Sequence, residues 1–379
     1  MAHALRGQGG LLIGHSFIGS LAESAPQHEY LITVPIGCGY EDIALPPGSK
    51  FHFCENKDSN TAFFSRVRIE FGEVPAVLKA FNPDVVFNMQ NHGLREVTCP
   101  QAIWIANGYL VYPSKYFGNI LLRERLQAKL QRLYLRSTLR HADLLFCQTP
   151  VMRQRIADYY NYDINKIKVL PNVLSTFLQQ PKRRKPPACP DKLLDDNFKC
   201  LILSKYYPHK NPETVLDACL SSGRCLDDLV FITTLSEQQD ARTKHFLRRL
   251  DKNPHLKKLI LNIGPIPHEE LESYYRHVQL VVMPTLMESF SITYLEAMHF
   301  GVPILTTDID FARYLCRDAA AYYDPWRPES FVEKLLMLKS DSEARRKLVD
   351  AGREQLKKFS LTWNDVVKTA ICELEHLVG

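Results

Sequence analysis

Residues 288–303 read Glu288-Ser-Phe-Ser-Ile-Thr-Tyr-Leu-Glu296-Ala-Met-His-Phe-Gly301-Val-Pro303, and their reading decides the fold. Just before them, Leu280-Val-Val-Met-Pro284 is a short apolar run of buried parallel-strand type, and just after, Gly301 and Pro303 are helix-stop punctuation. A strand therefore turns into a helix running from about Ser291 to Phe300. The first amides of a helix lack intrahelical partners and carry the positive end of its dipole, so the turn Ser289, Phe290, Ser291 is a seat for an anion of diphosphate size. Glu288 falls in the loop ahead of that seat. Glu296 falls roughly a turn and a half into the helix, at about 1.5 Å rise per residue, so both carboxylates reach one bound ligand.

Outward from this stretch, apolar runs alternate with longer helical patterns: Pro83–Phe87, Leu144–Cys147, Ile167–Leu170, Cys200–Leu203, Leu229–Thr233, Leu259–Leu261, Leu280–Met283 and Ile304–Thr307. Such alternation implies α/β architecture with parallel, doubly wound sheets. The proline-rich, charged piece Pro181–Pro190 cannot be a core element and reads as a linker. It separates two Rossmann-like domains, 1–177 and 198–360, with 178–197 between them and a terminal helical piece at 361–379 behind the cap-like Thr362. The two domains are expected to face a cleft lined by the carboxyl-end loops of their strands.

The chain has 379 residues, 45% hydrophobic and 23% charged, the profile of a soluble globular protein with room for two domains. It contains no 18-residue apolar run and opens without the apolar core of a signal peptide, so a cytoplasmic location is expected. The ten cysteines form no Cys-x-x-Cys pair, which signals neither a zinc site nor a disulfide framework. Net charge is +5, and the stretch 119–140 holds all of that excess, with Arg123, Arg125, Lys129, Arg132, Arg136 and Arg140 against Glu124. Leu122, Leu126, Leu130 and Leu133 make the same stretch an amphipathic helix. Either its cations are a solvated face over a core-packed leucine stripe, or they dock it on anionic lipid, at roughly 1 kcal/mol for each nearby Lys or Arg. The short basic run at Lys182–Lys185 is read as solvated, and no nucleic-acid partner is expected.

The Glu-x7-Glu spacing of Glu288 and Glu296 resembles the signature of retaining glycosyltransferases of family 4, which have the GT-B fold. Ile202-Leu-Ser-Lys205-Tyr-Tyr-Pro-His-Lys210 is similar to the family segment in which an Arg and a Lys, five apart, grip the donor's phosphates; here lysine replaces the arginine. Asn262-Ile-Gly264-Pro-Ile266 resembles the loop that meets the nucleobase, and Gln8-Gly9-Gly10 the glycine turn that approaches the phosphates. The resemblance implies that Lys205 and Lys210 stabilise the leaving phosphate, Glu288 contacts the transferred sugar and Glu296 accepts from ribose hydroxyls. It also implies a last helix crossing back to the first domain. A GT-B first domain opens with a buried strand before its glycine turn, and Met1–Gly7 is too short for one. Either the chain begins upstream of Met1, the reading favoured here, or the first sheet lacks that strand.

On the acceptor side the family places a histidine where this chain has Ala106, after Pro100-Gln-Ala-Ile-Trp-Ile, so His92 or Asn107 is expected to occupy that space. Asp308-Ile-Asp310 invites a metal reading, but it lies past the donor helix, and a metal-independent reaction without cofactor is expected. The implied activity moves a sugar from a UDP- or GDP-linked donor to a glycan or lipid-linked acceptor with retention, in cell-surface polysaccharide synthesis, at the inner face of a membrane. A catalytically weak sugar-nucleotide binding subunit and a GT-B sugar-nucleotide epimerase are the alternatives. Base, sugar, acceptor, linkage and oligomeric state are not encoded in any motif.

Overall fold

In the computed structural model, residues 1–5, 8–55, 68–174, 193 and 196–379 are described. They divide into one unit of Met1–Val111, Arg123–Val173 and Leu361–Gly379, and a second of Tyr112–Leu122 and Leu174–Ser360.

In the first unit, β1 (Leu31–Pro35) pairs with β2 (Lys50–Cys54) as a parallel two-stranded sheet. A separate parallel sheet has the order β3 (Val86–Asn88), β4 (Gln101–Ile105), β5 (Leu144–Cys147), β6 (Ile167–Val169). Strand β4 is buried along its whole length, as the near-continuous apolar run of a two-sided parallel strand requires. Trp104 on it packs against Phe87 and Phe17. The helix Trp363–Val378 lays Trp363, Val366, Val367, Ala370 and Leu374 on this core, a helical stripe spaced by three and four. Thr362 and Asp365 close a reciprocal capping box at its start, worth about 1 kcal/mol.

Met1 and Ala2 lie between β1 and β3: the Met1 amine donates to Phe87 O at 2.6 Å, Met89 N donates to Met1 O at 3.0 Å, and Ala2 N donates to Thr33 O at 2.8 Å.

The cationic helix Leu122–Leu139 corrects one expectation. Its buried residues are Ala128, Leu135, Thr138 and Leu139, while Leu122, Leu126, Leu130 and Leu133 are 83%, 56%, 57% and 54% exposed. At about 100° per residue the leucine stripe lies opposite the buried face. The leucines are therefore not a core-packed stripe. Arg132 and Arg136 turn back onto the first unit, donating to the carbonyls of Tyr109 and Tyr159 at 2.8 and 3.1 Å, whereas Arg123, Arg125 and Lys129 are exposed.

The second unit is one parallel sheet of β7 (Phe198–Ile202), β8 (Leu229–Thr233), β9 (Ile260–Asn262), β10 (Leu280–Met283), β11 (Ile304–Thr307) and β12 (Ala320–Tyr323), ordered β12-β11-β10-β7-β8-β9. Tyr112–Leu122, which the sequence assigns to the first domain, belongs with this unit. Tyr112 donates to Asp310 Oδ1 at 3.1 Å, and Gly118, at φ +71°, lies so close to Pro208 that a Cβ would stand 2.1 Å from its carbonyl oxygen. The proposed linker piece Pro181–Pro190 lies outside the described residues. The nine described cysteines are free thiols, and no described helix is long and apolar enough to cross a membrane.

Candidate active site

The sheet of the second unit winds outward from β7 through β8 and β9, then resumes on the other side at β10. Open parallel sheets bind ligands outside the carboxyl ends of their strands at this reversal. The loop leaving β7 carries Lys205 and Lys210, and the loop leaving β10 carries Glu288 to Ser291.

These loops are laced together. Lys210 ends a single 3-10 turn, Pro208–Lys210, closed by Asn211 in the left-handed region at φ 51°. Its ammonium pairs with Glu288 Oε1, the two side chains being 21% and 11% exposed. Thr285 Oγ1 lies 3.1 Å from Glu288 Oε1 and 3.2 Å from His209 O, so one hydroxyl proton serves both acceptors. Leu286 N donates to His209 O at 2.7 Å. Burial, reinforced by the Lys210 charge, pulls the His209 imidazole down to about 3, so it is neutral at physiological pH. The Gln239 side chain brackets the backbone of Tyr206, accepting from its N–H at 3.1 Å and donating to its carbonyl. Lys205 is exposed at the mouth of the same loop. The structure thus joins Lys210 directly to Glu288, a contact the sequence does not announce.

The predicted helix is Ile292–Phe300, with Ser291 at its N-cap position making no side-chain cap bond. Phe290 buries its ring against Phe359, so only its backbone remains for a ligand. Glu296 is 4% exposed and its Oε2 accepts from Tyr275 at 2.8 Å. Burial pushes this carboxyl up, and the Tyr275 bond pulls the other way. Tyr275 in turn stacks on Phe300. At the ends of β8 and β9 the Asn262 side chain accepts from Leu235 N at 2.9 Å and Thr233 Oγ1 at 3.0 Å. Gly264 follows at φ +79° with open space where a Cβ would stand, and Ile266 beyond it is half-buried.

Asp308 and Asp310 are engaged elsewhere. Arg313 grips both oxygens of Asp308 at 2.6 and 2.8 Å, holding that carboxyl below its usual range, while Asp310 accepts from Tyr112.

The remaining site residues belong to the first unit. Gly9 and Gly10 lie in the first turn of the helix Gln8–Gly19, where the sequence reading has a glycine turn; Gly9 meets open space. His92 is buried with its Nε2 3.2 Å from Glu70 Oε1 and its ring against Tyr134. Asn107 caps the turn Gly108–Leu110 by accepting from Tyr109 N at 3.0 Å. Donor atoms of His52, Cys54 and Glu73 lie within 4.8 Å of one another. There the His52 ring is bound to Glu73 at 2.8 Å, and burial raises the thiol to about 12.

His209, Thr285, Gln239 and Tyr275 escaped the sequence reading. Only Thr285 carried a signal, a hydroxyl directly after the strand-ending Pro284.

An open parallel sheet with a lysine loop and a glutamate turn at its reversal point is a doubly wound domain. Residues 190–355 match the profile of the family described as Glycosyl transferases group 1. That stretch of the second unit is similar to the family, and the chain has the two-domain GT-B fold of the solved structures it resembles. It is similar to the D-inositol 3-phosphate glycosyltransferase of Paenarthrobacter aurescens, 25% identical over 215 residues, covering 55% of this chain and 51% of that one. It is also similar to the alpha-monoglucosyldiacylglycerol synthase of Streptococcus pneumoniae, 22% identical over 307 residues, covering 75% and 65%. The chain thus spans about half the length of the first of these relatives. Among solved structures, a sucrose-phosphate synthase from Thermosynechococcus elongatus superposes with a TM-score of 0.74 at 14% identity, over 98% of this chain and 94% of that one.

Proposed function

We propose that this protein transfers a hexose-type sugar from a UDP- or GDP-linked donor, with retention of configuration, to a lipid-linked or glycan acceptor held at a membrane surface, as in cell-surface polysaccharide synthesis. The observation that carries the reading is the Lys210–Glu288 pair at the β7/β10 reversal, beside the helix that starts at Ile292. Transfer breaks the bond between the anomeric carbon and a diphosphate oxygen and forms one to an acceptor oxygen. Fixed cations and dipoles that meet the leaving charge in a water-poor site lower that barrier most. Lys210, held by Glu288, and Lys205 meet the phosphates; the N-terminal amides of the Ile292–Phe300 helix complete the seat. Lysine at 205 provides a point charge without the bidentate fork of arginine, so more of the phosphate grip falls on Lys210.

Glu288, while positioning Lys210, also accepts from hydroxyls of the transferred sugar, and Glu296 from the ribose. Neither becomes covalently attached; the leaving phosphate takes the acceptor proton on the same face. Lys205 and Lys210 supply the cationic charge, and the engagement of Asp308 by Arg313 favours a metal-independent reaction. Unchanged turnover in chelator is the expected result.

The acceptor reading draws on the exposed leucines of the Leu122–Leu139 helix beside Arg123, Arg125 and Lys129, the composition of a helix that lies in a lipid interface. A relative whose name is that of a monoglucosyldiacylglycerol synthase points the same way. Thermal shifts with UDP, GDP, ADP and CDP test the donor side: a ligand at a hundred times its Kd stabilises by about 2.7 kcal/mol. A shift with none of the four would sink the reading. Cosedimentation with anionic vesicles, lost in Leu126→Ser/Leu130→Ser, tests the membrane side.

A further inference from the structure

Strand β2 places His52 and Cys54 two residues apart on one side of the chain, with the exposed Phe53 between them on the other. Facing them is Glu73, the last residue of a single π-helical turn, Ile69–Glu73, that leads into the helix Val74–Phe81. Such turns are uncommon and are frequent at functional sites. This one sends its two carboxylates to different histidines: Glu70 meets His92 at 3.2 Å, and Glu73 meets His52, 21 residues away in sequence, at 2.8 Å. One donor atom each from His52, Cys54 and Glu73 lies within 4.8 Å of the other two. A buried cysteine ordinarily packs as a small apolar group. Cys54 does join the cluster of Ile69, Val74 and Leu94, yet its sulfur also has an imidazole and a carboxylate beside it.

We propose that His52, Cys54 and Glu73 hold one zinc ion, with water in the fourth position. Zinc binds sulfur, nitrogen and carboxylate oxygen at about 2.0–2.3 Å in a tetrahedron, which sets the donor atoms roughly 3.3–3.6 Å apart. From the 4.8 Å limit the ligands have to close by no more than about 1.5 Å, within reach of side-chain rotation. The thiolate selects zinc over magnesium or calcium, which take oxygen ligands. On binding, the Cys54 S–H bond breaks, its electron pair forms the bond to zinc and the proton leaves to solvent; imidazole ligates as the neutral ring and glutamate as the carboxylate. Burial holds that thiol up at about 12, and a coordinating ion displaces such a proton outright. Arg68 is the cation that competes for Glu73. It stands 3.9 Å from Glu73 Oε2, is 58% exposed and donates to Glu55 O at 3.2 Å, so it yields the carboxylate to the metal. The ion staples β2, one half of a two-stranded sheet, to the helical run that faces it. A two-stranded sheet is marginal alone, so a clip there stabilises the first unit. The site shares no residue with the Lys210–Glu288 pair and belongs to the other unit, so sugar transfer does not pass through it.

The test strips the full chain with chelator and titrates it with cobalt(II) as a spectroscopic stand-in, then with zinc. Expected are one cobalt per chain, a thiolate-to-cobalt charge-transfer band in the near ultraviolet, and loss of that band as zinc displaces cobalt. Zinc at a hundred times its Kd should raise Tm by about 5 °C or more. Cys54→Ser should abolish the band. Because Cys54 is buried, His52→Gln and Glu73→Gln, at partly exposed positions, accompany it. Both should fold as the parent does by circular dichroism and weaken zinc binding by more than the roughly 10–100-fold that an outer-shell change costs. A parent without the charge-transfer band would overturn the proposal. So would a band that survives Cys54→Ser, because another thiol would then be the ligand, or a zinc-induced rise in Tm undiminished in His52→Gln and Glu73→Gln.

Discussion

Lys210→Met separates the structural from the chemical role of the central pair. Removing the ammonium leaves Glu288, 11% exposed, with Thr285 as its remaining side-chain donor. Breaking a fully buried pair in this way costs about 3–5 kcal/mol. Lys210 is 21% exposed and water reaches the pair, so about 1–2 kcal/mol is expected here. For a unit of this size that lowers Tm by about 2–8 °C, measurable by scanning calorimetry. Replacing both partners, as Lys210→Met/Glu288→Leu, removes the stranded carboxylate and should recover stability to within about 1 kcal/mol of the parent. Sugar transfer should fall by about 100-fold or more in the single and the double variant alike, because the cation meeting the leaving phosphate is gone in both. A single variant with unchanged Tm would refute the energetic argument. A double variant that regains transfer would refute the charge assignment.

Gly118→Ala forces a Cβ to within 2.1 Å of the Pro208 carbonyl from a backbone conformation, φ +71° and ψ −158°, that is essentially glycine's own. A cost of about 1–3 kcal/mol is expected, together with weaker nucleotide binding in titration calorimetry, because Pro208 begins the turn that ends at Lys210; unchanged stability would contradict the packing. Glu296→Gln keeps an acceptor for Tyr275 without the buried charge, so Tm should hold or rise while nucleotide affinity falls. The raised Glu296 carboxyl keeps its proton longer in the folded state, so its contribution to stability declines as pH rises through the window above 4.5; the glutamine variant should lack that decline. His209 has the opposite sign: its depressed value, about 3 against 6.5, contributes stability above pH 6.5 that is lost towards pH 3, at up to about 1.4 kcal/mol per pH unit. Denaturant titrations of His209→Gln across that range should show a shallower slope, and an unaltered slope would clear the imidazole of the effect.

What the sequence determined by itself was local. Apolar runs bounded by helical patterns placed β5, β8, β10 and β11 to the residue, because a strand buried on both faces must be apolar throughout. The turn at Ser289 to Ser291 and the helix behind it were readable from Pro284, Gly301 and Pro303, which act through backbone geometry alone. Strands β1, β2 and β12 escaped; in β2, Lys50 and His52 interrupt the apolar pattern of a strand only partly buried.

Which faces meet was decided by tertiary structure. The leucine stripe of Leu122–Leu139 has the spacing of a core-facing helix, yet Ala128, Leu135 and Leu139 on the opposite side are buried. Periodicity reports that a helix has two faces and cannot say which one finds a partner. The same holds for the site: Lys210 and Glu288 are 78 residues apart and meet because β7 and β10 are neighbours in the sheet. That adjacency comes from the winding of the whole domain, and no local pattern contains it.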